Sequence, residues 1–236
     1  ALSDFDQALA CDPKFVMAYN NRALLRMARK EYRQAVVDCS SAIELDGDNP
    51  RFFQLRREAY RRLGKSKEAL ADGEKLIWLI RYQQLSRRVA TAPKLADGYI
   101  QRARHLAVDG RSGAALADYQ RAIVVEPGQA NEAYLARARH WIAAGDWKRA
   151  TADCSRALEI GGDYEAWSLR GEIHMHQGNW DLAIADFTKA RRFDKVVAEA
   201  YNKRAAAHRA AGRTAEASAD RKRAAELDPE RFGKSP

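Results

Sequence analysis

Arginine and aspartate recur in this chain sixteen residues apart: Arg22 with Asp38, Arg56 with Asp72, Arg102 with Asp118, Arg137 with Asp153, Arg170 with Asp186 and Arg204 with Asp220. Two chemistries are open to such a set. Six arginines in register would make a basic ladder able to grip phosphates. Alternatively each guanidinium meets its own carboxylate on a partner helix, a geometry suited to bidentate hydrogen bonding. The invariant company of the aspartate favours the second reading, a structural ladder. Half-buried pairs of this kind fix helix register more than they add net stability, because desolvation offsets the Coulomb attraction. Other reactive residue types offer less. His174 and His176 are two apart, so on a helix they point about 200° apart and do not chelate one metal as an i, i+4 pair would. There is no glycine-rich phosphate loop and no cysteine–histidine motif. No catalytic, cofactor-binding or metal-ligating residue is therefore assigned, and the chain reads as non-enzymatic.

The elements that position the pairs are written in a period. An alanine followed three residues later by an aspartate occurs at Ala1, Ala35, Ala69, Ala115, Ala150, Ala183 and Ala217, at spacings of 34, 34, 46, 35, 33 and 34. Upstream of the last six stands an aromatic (Tyr19, Phe53, Tyr99, Tyr134, Trp167, Tyr201), with the arginine of the ladder three residues after it. A small residue falls seven after each alanine, Leu76 excepted. A chemical site occurs once; a structural module recurs at a fixed period.

This skeleton resembles the tetratricopeptide repeat, a 34-residue helix–turn–helix family. The resemblance is carried by the opening aromatic, the turn glycines Gly64, Gly110, Gly145, Gly178 and Gly212, the paired small residues, and the closing prolines Pro13, Pro127 and Pro229. It implies an all-α, right-handed α-solenoid of about thirteen helices. The expected array covers 1–229 as a partial repeat at 1–13 and whole repeats at 16–47, 50–92, 96–127, 131–162, 164–195 and 198–229, with a tail at 230–236. Amphipathic helices this short cannot bury their apolar faces one pair at a time, so neighbouring pairs must stack.

Cys39 and Cys154 occupy the position that holds Phe5, Tyr119 and Phe187 in other repeats, which makes them core fillers. Three cysteines imply no disulfide framework and favour a reducing, cytoplasmic setting. No run approaches the roughly 20 apolar residues that a membrane span requires. The net charge is +9, with 41 basic residues against 32 acidic ones. That describes what the surface encounters rather than how it folds.

Two irregularities carry expectations of their own. The 46-residue spacing lengthens one second helix, with Trp78, Tyr82, Leu85 and Val89 on one stripe, so this helix is expected to run to about Arg88. The stripe is a candidate protruding contact or a filler between repeats. The chain also opens at the second helix of a repeat, so Leu2, Phe5 and Leu9 are expected to lie uncovered. A weak homodimer through 1–10 or 76–92 follows.

The family resemblance implies a concave wall formed by the first helices, where a protein or peptide partner docks. The groove positions on this chain are Asn20, Leu24 and Met27; Gln54 and Arg61; Ile100 and Arg104; Leu135, Arg139 and Ile142. A family subclass grips carboxylate tails with asparagines and basic residues. Asn21 matches it, but Leu55 and Ser168 depart from it. The resulting reading is a scaffold for a protein partner. The alternatives are an RNA- or polyanion-binding array and the regulatory or targeting arm of a larger enzyme.

Overall fold

The computed structural model describes residues 1–233, and among these all regular structure is helical. Residues 1–87 and 88–236 form two compact units, whose boundary falls inside one long helix. In the first unit lie α1 (Leu2–Cys11), α2 (Val16–Ala28), α3 (Tyr32–Leu45), α4 (Pro50–Arg62) and most of α5 (Ser66–Thr91). The second unit holds α6 (Ala96–Val108), α7 (Ser112–Val125), α8 (Asn131–Ala143), α9 (Trp147–Glu159), α10 (Tyr164–His176), α11 (Trp180–Lys189), α12 (Lys195–Ala210), α13 (Thr214–Leu227) and α14 (Pro229–Phe232). Within each unit a helix packs on its chain neighbours, pair upon pair.

Thirteen of these helices are those the period requires. The fourteenth is a single turn at the start of the tail: the Asp228 carboxylate accepts from the Arg231 backbone N–H at 3.3 Å and Pro229 starts the turn. The rest of that tail, 234–236, lies outside the described residues.

The turns between paired helices need a left-handed residue, which the five glycines supply with φ between 72° and 76°. In the first whole repeat the same turn is made by Lys30 at φ 63°. A lysine there is strained relative to glycine, yet it keeps the turn geometry where the glycine pattern skips a repeat.

Helix pairs close on complementary side-chain volumes. Gly171 on α10 faces Phe187 on α11 so closely that a Cβ at 171 would lie 2.7 Å from the ring. In the second repeat the sizes are exchanged: Gly73 on α5 accepts Arg57, whose Nε would stand 3.2 Å from an added Cβ. The equivalent residues elsewhere are Ala23 with Cys39, Ala103 with Tyr119, and Ala138 with Cys154.

The long helix ends at Thr91, close to the expected Arg88. Its stripe does not protrude as a whole. Leu85 is 4 % and Val89 8 % exposed, and Val89 packs where Gly98 leaves room for it. Trp78 and Tyr82 stack on each other at 5.5 Å, half-buried. The expectation for α1 is corrected similarly: Leu9 is buried and Leu2 and Phe5 are half-buried. The covering neighbour is α2, which packs on α1.

Volume complementarity predicts a change of sign. Gly171→Ala should destabilise the wild-type chain by about 1–3 kcal/mol through overpacking against the Phe187 ring. In a Phe187→Cys background, which reproduces the Ala138–Cys154 pairing, the same change should stabilise by up to ~1 kcal/mol through helix propensity. Urea midpoints of the four proteins measure both effects, and a loss of similar size in both backgrounds would refute the pairing.

Candidate functional site

All six ladder pairs are closed. Arg56 donates from Nε and NH2 to the two oxygens of Asp72 at 2.9 and 2.6 Å. Arg137 does the same with Asp153 at 2.9 and 2.8 Å, and Arg204 with Asp220 at 2.7 Å twice. Arg22 with Asp38, Arg102 with Asp118 and Arg170 with Asp186 complete the set. The aspartates are buried. Hydrogen bonding to them raises the pKa of Arg22, Arg56, Arg137, Arg170 and Arg204 above the ordinary arginine value.

Two further partners of each arginine were not anticipated from the sequence. Each guanidinium lies over the aromatic three residues before it, from 4.7 Å at Trp167 to 6.0 Å at Tyr99, within cation–π range. In five of the six the remaining nitrogen, NH1, reaches back to the second helix of the preceding pair. It donates to Asp6, Ser40, Gln120, Ser155 and Asp181 from Arg22, Arg56, Arg137, Arg170 and Arg204. The signal was present: four of these acceptors stand five residues after an anchoring alanine. Arg22, Arg56, Arg137, Arg170 and Arg204 thus each join three helices.

The exposed chemistry lies elsewhere. In the second unit a groove between the third and fourth whole repeats is lined by Arg104, Ala107, Tyr119, Ala136, Arg139 and His140, with Val108, Ser112, Ala143 and Ala144 at its margins. Arg104 donates to Glu132 at 3.2 Å and Arg139 pairs with Glu165; all four side chains are about half exposed. Tyr119 forms the floor, burial raises its hydroxyl pKa, and its ring meets that of His140 at 6.2 Å. A second groove is bordered by Glu172, Met175, His176, Trp180, Val196 and Lys203, with His176 stacked on Trp147 at 4.8 Å.

Of the ten expected groove residues, Arg104 and Arg139 share one groove. Ile100 and Leu135 are corrected: they are 2 % and 3 % exposed and belong to the core. Leu135 packs with Ala138, Cys154, Ala166 and Leu169, and half-buried Ile142 lies against the same cluster. The position following the aromatic faces the seam to the next pair here, not open space. In the first unit Leu24, Gln54 and Arg61 are exposed on α2 and α4, while Asn20 and Met27 are half-buried. Tyr119 escaped the sequence reading as a groove residue because its position holds core fillers in other repeats.

Cys39 and Cys154 are buried, and desolvation pushes their thiols up to about 12, away from nucleophilic character. Among the described residues no three histidine, cysteine or acidic side chains are grouped to hold a metal ion, and no helix is long and apolar enough to cross a membrane.

Two tetratricopeptide-repeat family profiles match residues 100–165 and 164–195, and the same skeleton continues on both sides of them. Residues 100–195 are tetratricopeptide repeats. The human mitochondrial import receptor subunit TOM70 is 26 % identical over 194 residues, 79 % of this chain and 30 % of that protein. A DnaJ homolog subfamily C member 7 homolog of Schizosaccharomyces pombe is 40 % identical over 81 residues, 29 % of this chain and 17 % of that one. The chain thus spans a third or less of these curated relatives. Among solved structures, PilF of Pseudomonas aeruginosa shares 12 % identity over 91 % of this chain and 92 % of its own, with a TM-score of 0.43. YrrB, a TPR protein with an unusual peptide-binding site, shares 20 % over 80 % and 92 %, with a TM-score of 0.36. Tetratricopeptide repeats are typically protein-interaction scaffolds.

One ladder position adds a titration. His174 is buried with its Nε2 3.8 Å from Asp186, and burial lowers its pKa below 6.5 in spite of that carboxylate; the nearby Arg170 charge acts in the same direction as burial. The unfolded chain therefore binds this proton more readily than the folded one. Its contribution to stability is full above about pH 6.5 and is lost as pH falls through the lower folded value. Urea midpoints at pH 7.5 and 5.5 should fall less in His174→Gln than in the parent, whereas equal falls would contradict the assignment.

Proposed function

We propose that the groove of the second unit between the third and fourth whole repeats receives an acidic, partly apolar segment of a protein partner. The observation that carries this reading is the pairing of Arg104 and Arg139 on one groove, each held only by an exposed glutamate. Such surface pairs are worth about 0–1 kcal/mol, so a partner carboxylate exchanges with the resident one at little cost. Ala107, Ala136 and Tyr119 line the same groove and offer apolar contact.

A polyanion-binding array is the second reading, suggested by the +9 charge. The ladder weighs against it, because its six arginines are consumed internally. The partial similarity to TOM70, a mitochondrial import receptor subunit, is in keeping with a receptor-like binding task.

A partner captured by the chain should bind Arg104→Ala/Arg139→Ala at least roughly tenfold more weakly, because one charged hydrogen bond is worth about 1.5–3 kcal/mol. The variant's melting temperature should stay close to wild type, since the lost pairs are exposed. Affinity should vary mildly with salt. Undiminished binding by the variant, or affinity that collapses as salt rises from 50 to 200 mM as roughly expected for many phosphate contacts, would move the function to the polyanion reading.

A further inference from the structure

The last whole repeat carries a departure that neither the ladder nor the groove explains. Arg221 on α13 stands four residues after its anchoring alanine, where Cys39, Tyr119, Cys154 and Phe187 fill the core of other repeats. Its side chain is exposed and lines a cavity between α12 and α13 together with Arg209 and Asn202. An adjoining cavity is lined by the same two arginines with Thr214 and Ser218. Among the described residues no carboxylate lines either one. Asp220, next in sequence to Arg221, is already held by Arg204 and faces His208 at 3.6 Å.

This is the reverse of the groove described above, where Arg104 and Arg139 each meet a glutamate. Two guanidiniums on one cavity repel each other unless an anion lies between them. The cavity of roughly 260 Å³ has room for a small oxyanion. Its donors are two planar forks and an amide, and the adjoining cavity adds two hydroxyls beside the same arginines, a set that matches an oxyanion bearing several acceptor oxygens.

We propose that the Arg209–Arg221 cavity is a binding site for a phosphate group. A dianion balances both guanidiniums, whereas a carboxylate balances one. The site is independent of the groove reading, since it shares no residue with it and either could fail alone. Its ligand is a free phosphate ion or a phosphate carried on a side chain, and the chemistry of recognition is common to both.

The test is a titration of the full chain with inorganic phosphate, O-phosphoserine and acetate, followed by backbone amide NMR. Phosphate should shift the amides of Ala205, Ala210 and Ser218 saturably. Arg209→Gln and Arg221→Gln should each weaken binding by roughly tenfold or more, while Lys222→Gln, beside the site but outside its lining, leaves it intact. Helical circular dichroism should be unchanged in all three, because these side chains are exposed. Tighter binding of O-phosphoserine than of inorganic phosphate would assign a phosphorylated side chain; equal or weaker binding would assign the free ion. Shifts that never saturate, that spread over the whole basic surface, or that persist in both arginine variants would overturn the site. Acetate binding as tightly as phosphate would overturn the dianion assignment.

Discussion

A buried aspartate on the second helix of each pair constrains everything around it. Asp38 is wholly inaccessible and its five counterparts nearly so, and a carboxylate in that setting must be met by a cation. A guanidinium meets it with two parallel bonds, has a face left for an aromatic, and keeps a third nitrogen for the preceding helix. One side chain therefore sets the register of a first helix against its own partner and against the second helix before it. The net stabilisation from a paired charge is small, but an error of register strands a carboxylate in a dry seam. That asymmetry specifies the stacking. Alanine, glycine and cysteine at the remaining contact positions then let the helices approach without deciding their order.

The same constraint determines where function lies. A basic chain with six arginines in register invites a phosphate-gripping reading, yet those six are turned inward and neutralised. The net charge of +9 is untouched by these neutral pairs, but it is carried by other side chains, two groups of which line concave sites in the second unit. Arg104 and Arg139 sit in a groove under loose, exposed pairing, and Arg209 and Arg221 share a cavity with no acid. The two patches differ in kind: one exchanges a carboxylate for another, the other is unbalanced until an anion arrives.

Much of this was legible in the sequence because the period and the sixteen-residue offset both repeat. Repetition turns a weak local pattern into a strong one, which is why the ladder, the long helix α5 and the core role of Cys39 and Cys154 could be read directly. The groove was less legible. Whether Ile100 and Leu135 face open space or the next pair depends on the small rotation between successive pairs, which hydrophobic periodicity within a helix does not encode. The family resemblance implied an open wall at this position, which Ile100 and Leu135 do not line, whereas Asn20, Gln54 and Asn202 keep some exposure there. Lys30 in a left-handed turn and the exchange of volumes between Arg57 and Gly73 escaped for another reason: each breaks a residue rule while keeping the geometry the rule serves.

The account rests on the buried aspartate needing its arginine, and the most direct measurement is a double-mutant comparison at Arg137 and Asp153. Arg137→Leu alone should lower unfolding free energy by up to roughly 3–5 kcal/mol, the cost of a carboxylate left unpaired in a buried seam. Adding Asp153→Leu should recover part of that loss by removing the stranded charge, so the double variant is the more stable of the two. A double variant as unstable as the single one, or less stable still, would show that the arginine acts independently of the aspartate and would contradict the ladder as the organising constraint.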